Sequence, residues 1–189
     1  MTIQRCGWCS DEQIYIDYHD QEWGVPVYDE HTLFEMLCLE GQQAGLAWII
    51  VLKKRERYRH HFFQYTIEEI ATFTDEHLIE IAQDPGIIRH LGKLKAIRDN
   101  ARAWLNMRQI TPDMVKWLWS FVGHQPKVHS VPDYRLAPTQ SELSLQLSKT
   151  LKKNGFKFVG PTIIYSYLQA VGMIDDHENH CFKKLSLAP

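Results

Sequence analysis

The sequence predicts an all-α fold. Three observations carry that prediction. Apolar residues recur at spacings of three and four through most of the 189 residues. The periodic segments begin and end on residues that cap or stop helices. No segment joins an alternating apolar pattern to a hairpin turn, since neither Asn154-Gly155 nor Pro85-Gly86 is flanked by one.

Asp29 is placed to cap a helix carrying Phe34, Met36, Leu37 and Leu39, with a break or bend expected at Gly41 and Gly45. Helix resumes through Trp48, Ile49 and Leu52 into a basic stretch ending near Arg59. Thr66-x-x-Glu69 has the spacing of a capping box, and Thr74-Asp75 opens a short helix through Leu78 and Ile81. Asp84-Pro85-Gly86 interrupts the chain before a longer helix from Gly92 through Leu94, Ile97, Ala101 and Leu105. Thr111-Pro112 supplies an N-cap and a proline at the first helical position, opening Met114 to Val122. The segment His124 to Ala137, with Pro126 and Pro132 inside it and Pro138 beside it, reads as an irregular loop. Thr139-x-x-Glu142 opens a helix with Leu143, Leu147 and Leu151 on one face, stopped by Asn154-Gly155. Gly160-Pro161 opens the last helix, through Ile164, Tyr167, Leu168 and Val171, stopped by Gly172.

A chain of this length fits one large domain or two small lobes sharing a core. Aromatic residues make up 12% of it and six are tryptophans, side chains that serve a core but also stack well on a flat ring. The net charge of −2 gives no global basic field of the kind that marks a nucleic-acid binder. Positive charge is local instead. Lys53-Lys54-Arg55 with Arg57 and Arg59 form one group, Arg89, Lys93, Lys95 and Arg98 a second, and Lys149, Lys152, Lys153 and Lys157 a third. Each reads equally well as a solvated helix face. No secretory leader follows the first Met and no apolar run approaches a bilayer's thickness, so a cytoplasmic protein with no membrane role is expected. Four cysteines in that reducing setting point to thiols or a metal rather than disulfides.

Cys6, His19, His177 and Cys181 lie near the two chain ends, and two thiols with two imidazoles suit a closed tetrahedral zinc site. His177-x-x-x-Cys181 has helical i, i+4 spacing, which predicts both side chains on one face. Such a site would tie together ends that otherwise fray. Cys6-x-x-Cys9 is also a metal-knuckle spacing and His180 sits beside Cys181, so Cys9 or His180 could enter the ligand set. Scattered thiols and surface imidazoles are the plain alternative. His177 and His180 are three apart, which is not the zinc-protease His-Glu-x-x-His pattern. Cys38, in an apolar helix, reads as an inert buried thiol.

Trp8, Tyr15, Tyr18, Trp23 and Trp48 cluster in the first fifty positions together with Glu40, an acid in an otherwise apolar helix. Glu40 is either solvent-facing or a buried acceptor for a cationic or amino-bearing partner. Arg5-Cys6-Gly7-Trp8, Tyr18-His19-Asp20 and Glu22-Trp23-Gly24-Val25-Pro26 resemble the N-terminal signature of the constitutive bacterial 3-methyladenine DNA glycosylases. So do Leu39-Glu40-Gly41-Gln42-Gln43-Ala44-Gly45-Leu46 followed by Trp48, Ile87-Ile88-Arg89-His90 with Lys93, Trp119-Ser120-Phe121-Val122, and Gly155 to Pro161. The resemblance runs from Cys6 to Cys181.

This resemblance implies a single helix-hairpin-helix glycosylase domain over 1–189, with the hairpin element around 75–107 and its termini tethered by one structural zinc ion. It makes Cys6, His19, His177 and Cys181 the zinc ligands. It also makes Glu40 the base-reading acid, lines the pocket with Tyr15, Tyr18 and Trp48, and puts Trp8 and Trp23 near the same site. Leu46 becomes the apolar plug filling the stack where a nucleotide leaves, with Arg89 and Lys93 adding charge at the hairpin. The hairpin departs from the common Gly-x-Gly pattern, because Ile88 stands at the second glycine. Lys93→Glu is then expected to weaken DNA binding and reduce its salt dependence.

The implied partner is double-stranded DNA carrying alkylated adenine, the product is free 3-methyladenine, and a monomer is expected. A base inside a duplex must be extruded to be reached. Adenine methylated at N3 is cationic, so an aromatic slot with a carboxylate would prefer it to neutral adenine. Breaking the glycosidic bond neutralises that charge, so strong general-acid help is unnecessary. Asp99 and Asp113 read as exposed helix acids. Two rivals stand beside this reading: a zinc-stapled, non-catalytic DNA-binding module and a small-substrate metallohydrolase.

Overall fold

The computed structural model describes residues 3–186, which are mostly helical. The helices are α1 (Gln13–Gln21), α2 (Glu30–Gln43), α3 (Trp48–Tyr58), α4 (Ile67–Ala71), α5 (Asp75–Ile81), α6 (Leu91–Ile110), α7 (Met114–Ser120), α8 (Glu142–Lys153), α9 (Pro161–Ala170) and α10 (Phe182–Ser186). A π-helical turn, Arg59–Phe63, continues α3 without a break. Two-residue strands β1 (Lys127–Val128) and β2 (Ile174–Asp175) pair in parallel, Lys127 opposite Ile174.

Local chemistry sets most boundaries. The Asp29 carboxylate accepts from the Thr32 N–H at 2.7 Å, and Thr66 and Glu69 form the reciprocal capping box. Such caps contribute about 1 kcal/mol each. Two predicted starts move by two residues. Asp113 caps α7 in place of Thr111, accepting from the Lys116 N–H at 2.8 Å, and Ser141 caps α8 in place of Thr139. In both cases the side chain that reaches the N3 amide wins over the one that merely matches a pattern. Gly41 does not break α2. It lies inside the helix, where a Cβ would meet that of Phe158 at 3.3 Å, so its role is close approach rather than a bend.

Helix α2 is the central element, packed against α3, α6 and α9. Every residue from Leu33 to Gln42 is buried. A helix enclosed on all sides has no solvent face, so an acid at position 40 must be buried too. Around α2 the indole N–H groups distinguish the tryptophans. Trp104 donates to Glu30 at 2.7 Å and Trp119 to the Val27 carbonyl at 2.9 Å, as core tryptophans do. The Trp48 N–H is buried with no acceptor.

The β1–β2 ladder and the Val131–Glu178 bridge lay the C-terminal segment along the loop after α7. That segment also meets the N-terminus: the Phe182 N–H donates to the Gln4 carbonyl at 2.9 Å. Gly172, at φ +71°, turns the chain against the Val25–Pro26 backbone, where a side chain would collide. These contacts bring residues more than 150 positions apart into one site.

Candidate functional site

A cavity of about 220 Å³ opens between α1, α2, α3, α9 and the loop after β1. Trp8, Tyr15, Tyr18, Trp23, Glu40 and Trp48 all line it. Tyr18 and Trp48 lie 5.4 Å apart at 44°. Trp8 packs edge-on against Tyr15 at 5.3 Å and Trp23 at 4.9 Å. The slot is therefore lined by two groups of packed aromatic rings, and its volume admits a planar heterocycle.

Glu40 is 2% exposed, and its Oε2 has no hydrogen-bond partner. Burial alone pushes its carboxyl up to about 8. An unpaired buried acid is costly, and so is the unpaired indole N–H of Trp48 in the same cavity. Both groups point to a ligand that supplies a donor to one and an acceptor to the other. Four further polar lining residues escaped the sequence reading: Gln43, Ser166, Gln169 and Asp176. Ser166 and Gln169, one helical turn apart in apolar α9, carried a readable signal. Asp176 did not, because only the fold aims it here. Its carboxylate accepts from Tyr165 at 2.6 Å, Gln169 at 2.7 Å and His129 at 2.8 Å.

Behind Trp8 and Trp23 lies a second cluster. Donor atoms of Cys6, His19 and Cys181 fall within 4.8 Å of one another, all buried. The His177 ring is 5.4 Å from that of His19, and its Nε2 is buried without a partner. Both histidines are oriented through Nδ1, His19 by Asp20 and His177 by Asp175, each at 2.7 Å. Arg5 holds Asp20 in turn with three hydrogen bonds of 2.7–3.0 Å. A carboxylate on Nδ1 leaves Nε2 as the coordinating atom, which is the outer shell of a histidine–metal site. The Cys6–Cys181 contact raises the Cys6 thiol and lowers that of Cys181, whose thiolate accepts from Cys6. The donor set thus fits a thiophilic divalent ion. Cys9 and His180 stand outside it, against the carbonyls of Ser10 and Tyr15 and of Arg5 respectively. His177 and Cys181 do not share a helix face as their spacing predicted, because the segment is not helical: it has a bridge at Glu178 and a turn at Asn179–His180. Cys38 is buried in α2.

The α5–α6 turn stands beside the α2–α3 turn that carries Leu46, 37% exposed, after Gly45 at φ +78°. A chain of hydrogen bonds joins the two turns. The Ile88 N–H donates to the Tyr58 hydroxyl at 3.2 Å, and Tyr58 donates to the Gln42 Oε1 at 3.2 Å. The Gln42 amide donates to the Lys93 carbonyl at 3.0 Å. Lys93 departs from expectation. Its ammonium is buried, donating to the Gln42 and Ala44 carbonyls at 2.8 and 2.7 Å. It closes the C-terminus of α2 and fixes the Leu46 turn instead of facing a phosphate. Arg89 is exposed and makes no ion pair among the described residues.

The other basic residues divide sharply. Lys53 pairs with Glu12, Arg55 with Glu22 at 2.5 Å, and Arg57 with Asp84 at 2.5 Å. Arg59 pairs with Glu35 at 2.7 Å, and Lys95 and Arg98 both pair with Asp75 at 2.6 Å. Asp99 bonds Arg98 at 3.1 Å and Asp113 caps α7, so both are structural acids. Lys149, Lys152, Lys153 and Lys157 are exposed, and no ion pair engages them among the described residues.

A model of the methyladenine glycosylase family matches residues 8–184. The chain belongs to that family. It is 53% identical, over 95% of its own length and 96% of the relative's, to DNA-3-methyladenine glycosylase 1 of Escherichia coli (strain K12). A crystal structure of 3-methyladenine DNA glycosylase I superposes with a TM-score of 0.92 at 52% identity, covering 95% of this chain and 98% of that one. A tyrosine-to-phenylalanine variant of 3-methyladenine DNA glycosylase I, solved in complex with 3-methyladenine, superposes with a TM-score of 0.91 at 37% identity, covering 95% and 97%. No described helix is long and apolar enough to cross a membrane.

Proposed function

We propose that the enzyme removes 3-methyladenine from double-stranded DNA by hydrolysing the N-glycosidic bond of an extruded nucleotide, and that Glu40 selects the base. One observation carries this reading: a buried carboxylate with an unpaired oxygen, in an aromatic slot whose indole N–H is also unpaired. The family membership and the 3-methyladenine complex of a 37%-identical relative support the same substrate.

The chemistry follows from charge. In DNA the N3-methylated adenine is cationic and electron-poor. Tyr15, Tyr18 and Trp48 offer their rings to it, worth about 0.5–2 kcal/mol per cation–π contact. Entry of a cation lowers the cost of ionising Glu40, whose carboxylate then accepts from the exocyclic amino group. Neutral adenine does not reduce that cost. Rupture of the glycosidic bond sends the bonding pair to the base, which leaves neutral, and water adds to the sugar. No lysine lines the cavity among the described residues, and the Lys93 amine is held by two carbonyls, so a Schiff-base route has no nucleophile. Leu46, on its hydrogen-bonded turn, fills the vacated space in the stack, and Arg89 meets the backbone.

Cys6, His19, His177 and Cys181 would hold one zinc ion. It would act as a closed structural staple between the chain ends, outside the reaction. The unpaired His177 Nε2 and the two Nδ1-bound carboxylates favour this reading.

The test is incubation with N-methylated duplex DNA and chromatography of the released bases. Wild type is expected to release 3-methyladenine with little 7-methylguanine, and Glu40→Gln to release little of either. Equal release of both bases by wild type, or undiminished 3-methyladenine release by the variant, would overturn the assignment.

A further inference from the structure

Phe158 adopts φ +54°, a conformation that β-carbon-bearing residues avoid, and is 37% exposed. Left-handed backbone at such a residue is strained and persists only where the surroundings impose it. Here they do. Asn100 on α6 grips the preceding residue from both sides, accepting from the Lys157 N–H at 2.7 Å and donating to its carbonyl at 3.2 Å. Ser148 on α8 donates to the Val159 carbonyl at 2.6 Å. The Phe158 Cβ rests on Gly41, a contact that any side chain at 41 would tighten, and its ring stands edge-on to His90, the N-cap of α6. A large aromatic ring is thus held, partly in water, against both elements that carry the proposed DNA contacts: the end of α2 before Leu46 and the start of α6 after Arg89. Burial does not account for the clamp, because a core phenylalanine would be enclosed as Phe156 is.

The charge pattern points the same way. Lys157 adjoins Phe158, and Lys149, Lys152 and Lys153 lie on the α8 turns that lead into the same loop. Among the described residues no member of this group makes an ion pair, whereas Lys53, Arg55, Arg57, Arg59, Lys95 and Arg98 of the other two basic groups all pair with acids. Favourable interaction with the α8 C-terminus accounts for Lys152 and Lys153 in part, but not for Lys157 beyond the helix. A chain with net charge −2 that binds a polyanion needs its free cations on one surface.

We infer that the α8–α9 loop is a second DNA-contacting element, in which Phe158 stacks on a base uncovered when the damaged nucleotide leaves the duplex and Lys157 meets an adjacent phosphate. Leu46 and Phe158 then support the opened stack from two segments of chain. Lys152 and Lys153 extend the phosphate track along α8. The inference rests on the proposed glycosylase reading, since it presupposes an extruded nucleotide.

The test compares wild type, Phe158→Ala, Phe158→Trp and Lys157→Ala. Binding to a duplex with one tetrahydrofuran abasic-site analogue is measured over a range of salt, alongside binding of free 3-methyladenine and thermal unfolding. Phe158→Ala is expected to weaken duplex binding about 5- to 100-fold, the range of one lost base–aromatic stack, with free-base affinity and melting temperature unchanged. Phe158→Trp restores most of it. Lys157→Ala lowers the slope of log K against log salt by about 0.9, one phosphate contact. Wild-type duplex affinity in Phe158→Ala, or a loss that tracks melting temperature or free-base affinity, would overturn the inference. If Phe158→Ala fails to fold, tryptophan and leucine at 158 decide it: equal duplex affinity for these two variants would remove stacking from the account. Failure of wild type to release 3-methyladenine would instead sink the underlying reading, so the two failures are separable.

Discussion

The base cavity and the terminal cluster carry the same physical signature with opposite accessibility. In each, a buried polar atom lacks a partner: Glu40 Oε2 and Trp48 Nε1 in the cavity, His177 Nε2 in the cluster. The cavity opens to solvent, whereas Cys6, His19, His177 and Cys181 are sealed at 0–1% exposure. An orphaned atom on the wall of an open cavity suits a ligand that comes and goes, and one inside a sealed cluster suits a resident. Trp8 and Trp23 are the partition. Trp23 packs edge-on against His177 at 4.6 Å and Trp8 tilts on His19 at 5.2 Å, and both also face the cavity. Order in the cluster therefore sets order in one wall of the base slot.

The sharpest way to break this contrast is to remove the ion proposed for the sealed site. Stripping metal, verified by elemental analysis, or replacing Cys181 by Ser, should lower the melting temperature by about 10 °C or more, because structural zinc contributes many kcal/mol to folding. Free-base affinity should fall with it through Trp8 and Trp23. An unchanged melting temperature after complete stripping would dissolve the distinction between the two sites.

Next in size is the exchangeable site. Glu40→Gln should cut kcat/KM for 3-methyladenine release about 100-fold, the scale of one lost charged partner in a buried pair. The same change should stabilise the free protein in a pH-dependent way. The folded carboxyl is raised to about 8 from an ordinary value near 4.5. Between those values the folded state binds more protons than the unfolded one, so stability falls as pH rises from about 5 to 8. The Gln variant lacks this slope, and its advantage in melting temperature should be largest near pH 8 and vanish near pH 4. A constant difference across that range would show that Glu40 is solvated.

The smallest effect separates the α5–α6 turn from both sites. Lys93→Met leaves the two carbonyls at the end of α2 unpaired and should cost about 1–3 kcal/mol of stability. The salt slope of DNA binding should stay the same, contrary to the expectation from sequence. A drop of about one in that slope would return Lys93 to the phosphate surface.

Legibility in the sequence followed the range of the interactions. The caps at Asp29, Thr66 and Thr74 were readable because each acts over three residues, and the helical character because it repeats. The starts at 111 and 139 missed because two capping side chains compete locally, Thr111 with Asp113 and Thr139 with Ser141, and only the folded backbone chooses. Helix α1 was missed: its pattern is weakly amphipathic, and no side chain caps it. Glu40 was singled out by its apolar neighbours, but its burial depended on α9 covering the remaining face of α2. Lys93 misled because a charged residue after a turn looks alike whether it faces water or a helix terminus. Asp176 and Phe158 were invisible for the same reason: what distinguishes them is the company supplied by segments distant in sequence.

Selection of a charged base turns on one proton, which carbon-13 chemical shifts of the Glu40 carboxyl, followed across pH in the free protein, report. A midpoint near 8 is expected, moving downward when a cationic purine nucleoside analogue occupies the slot. A midpoint near 4.5, unmoved by the analogue, would mean a water-exposed acid with no means of telling a charged base from a neutral one.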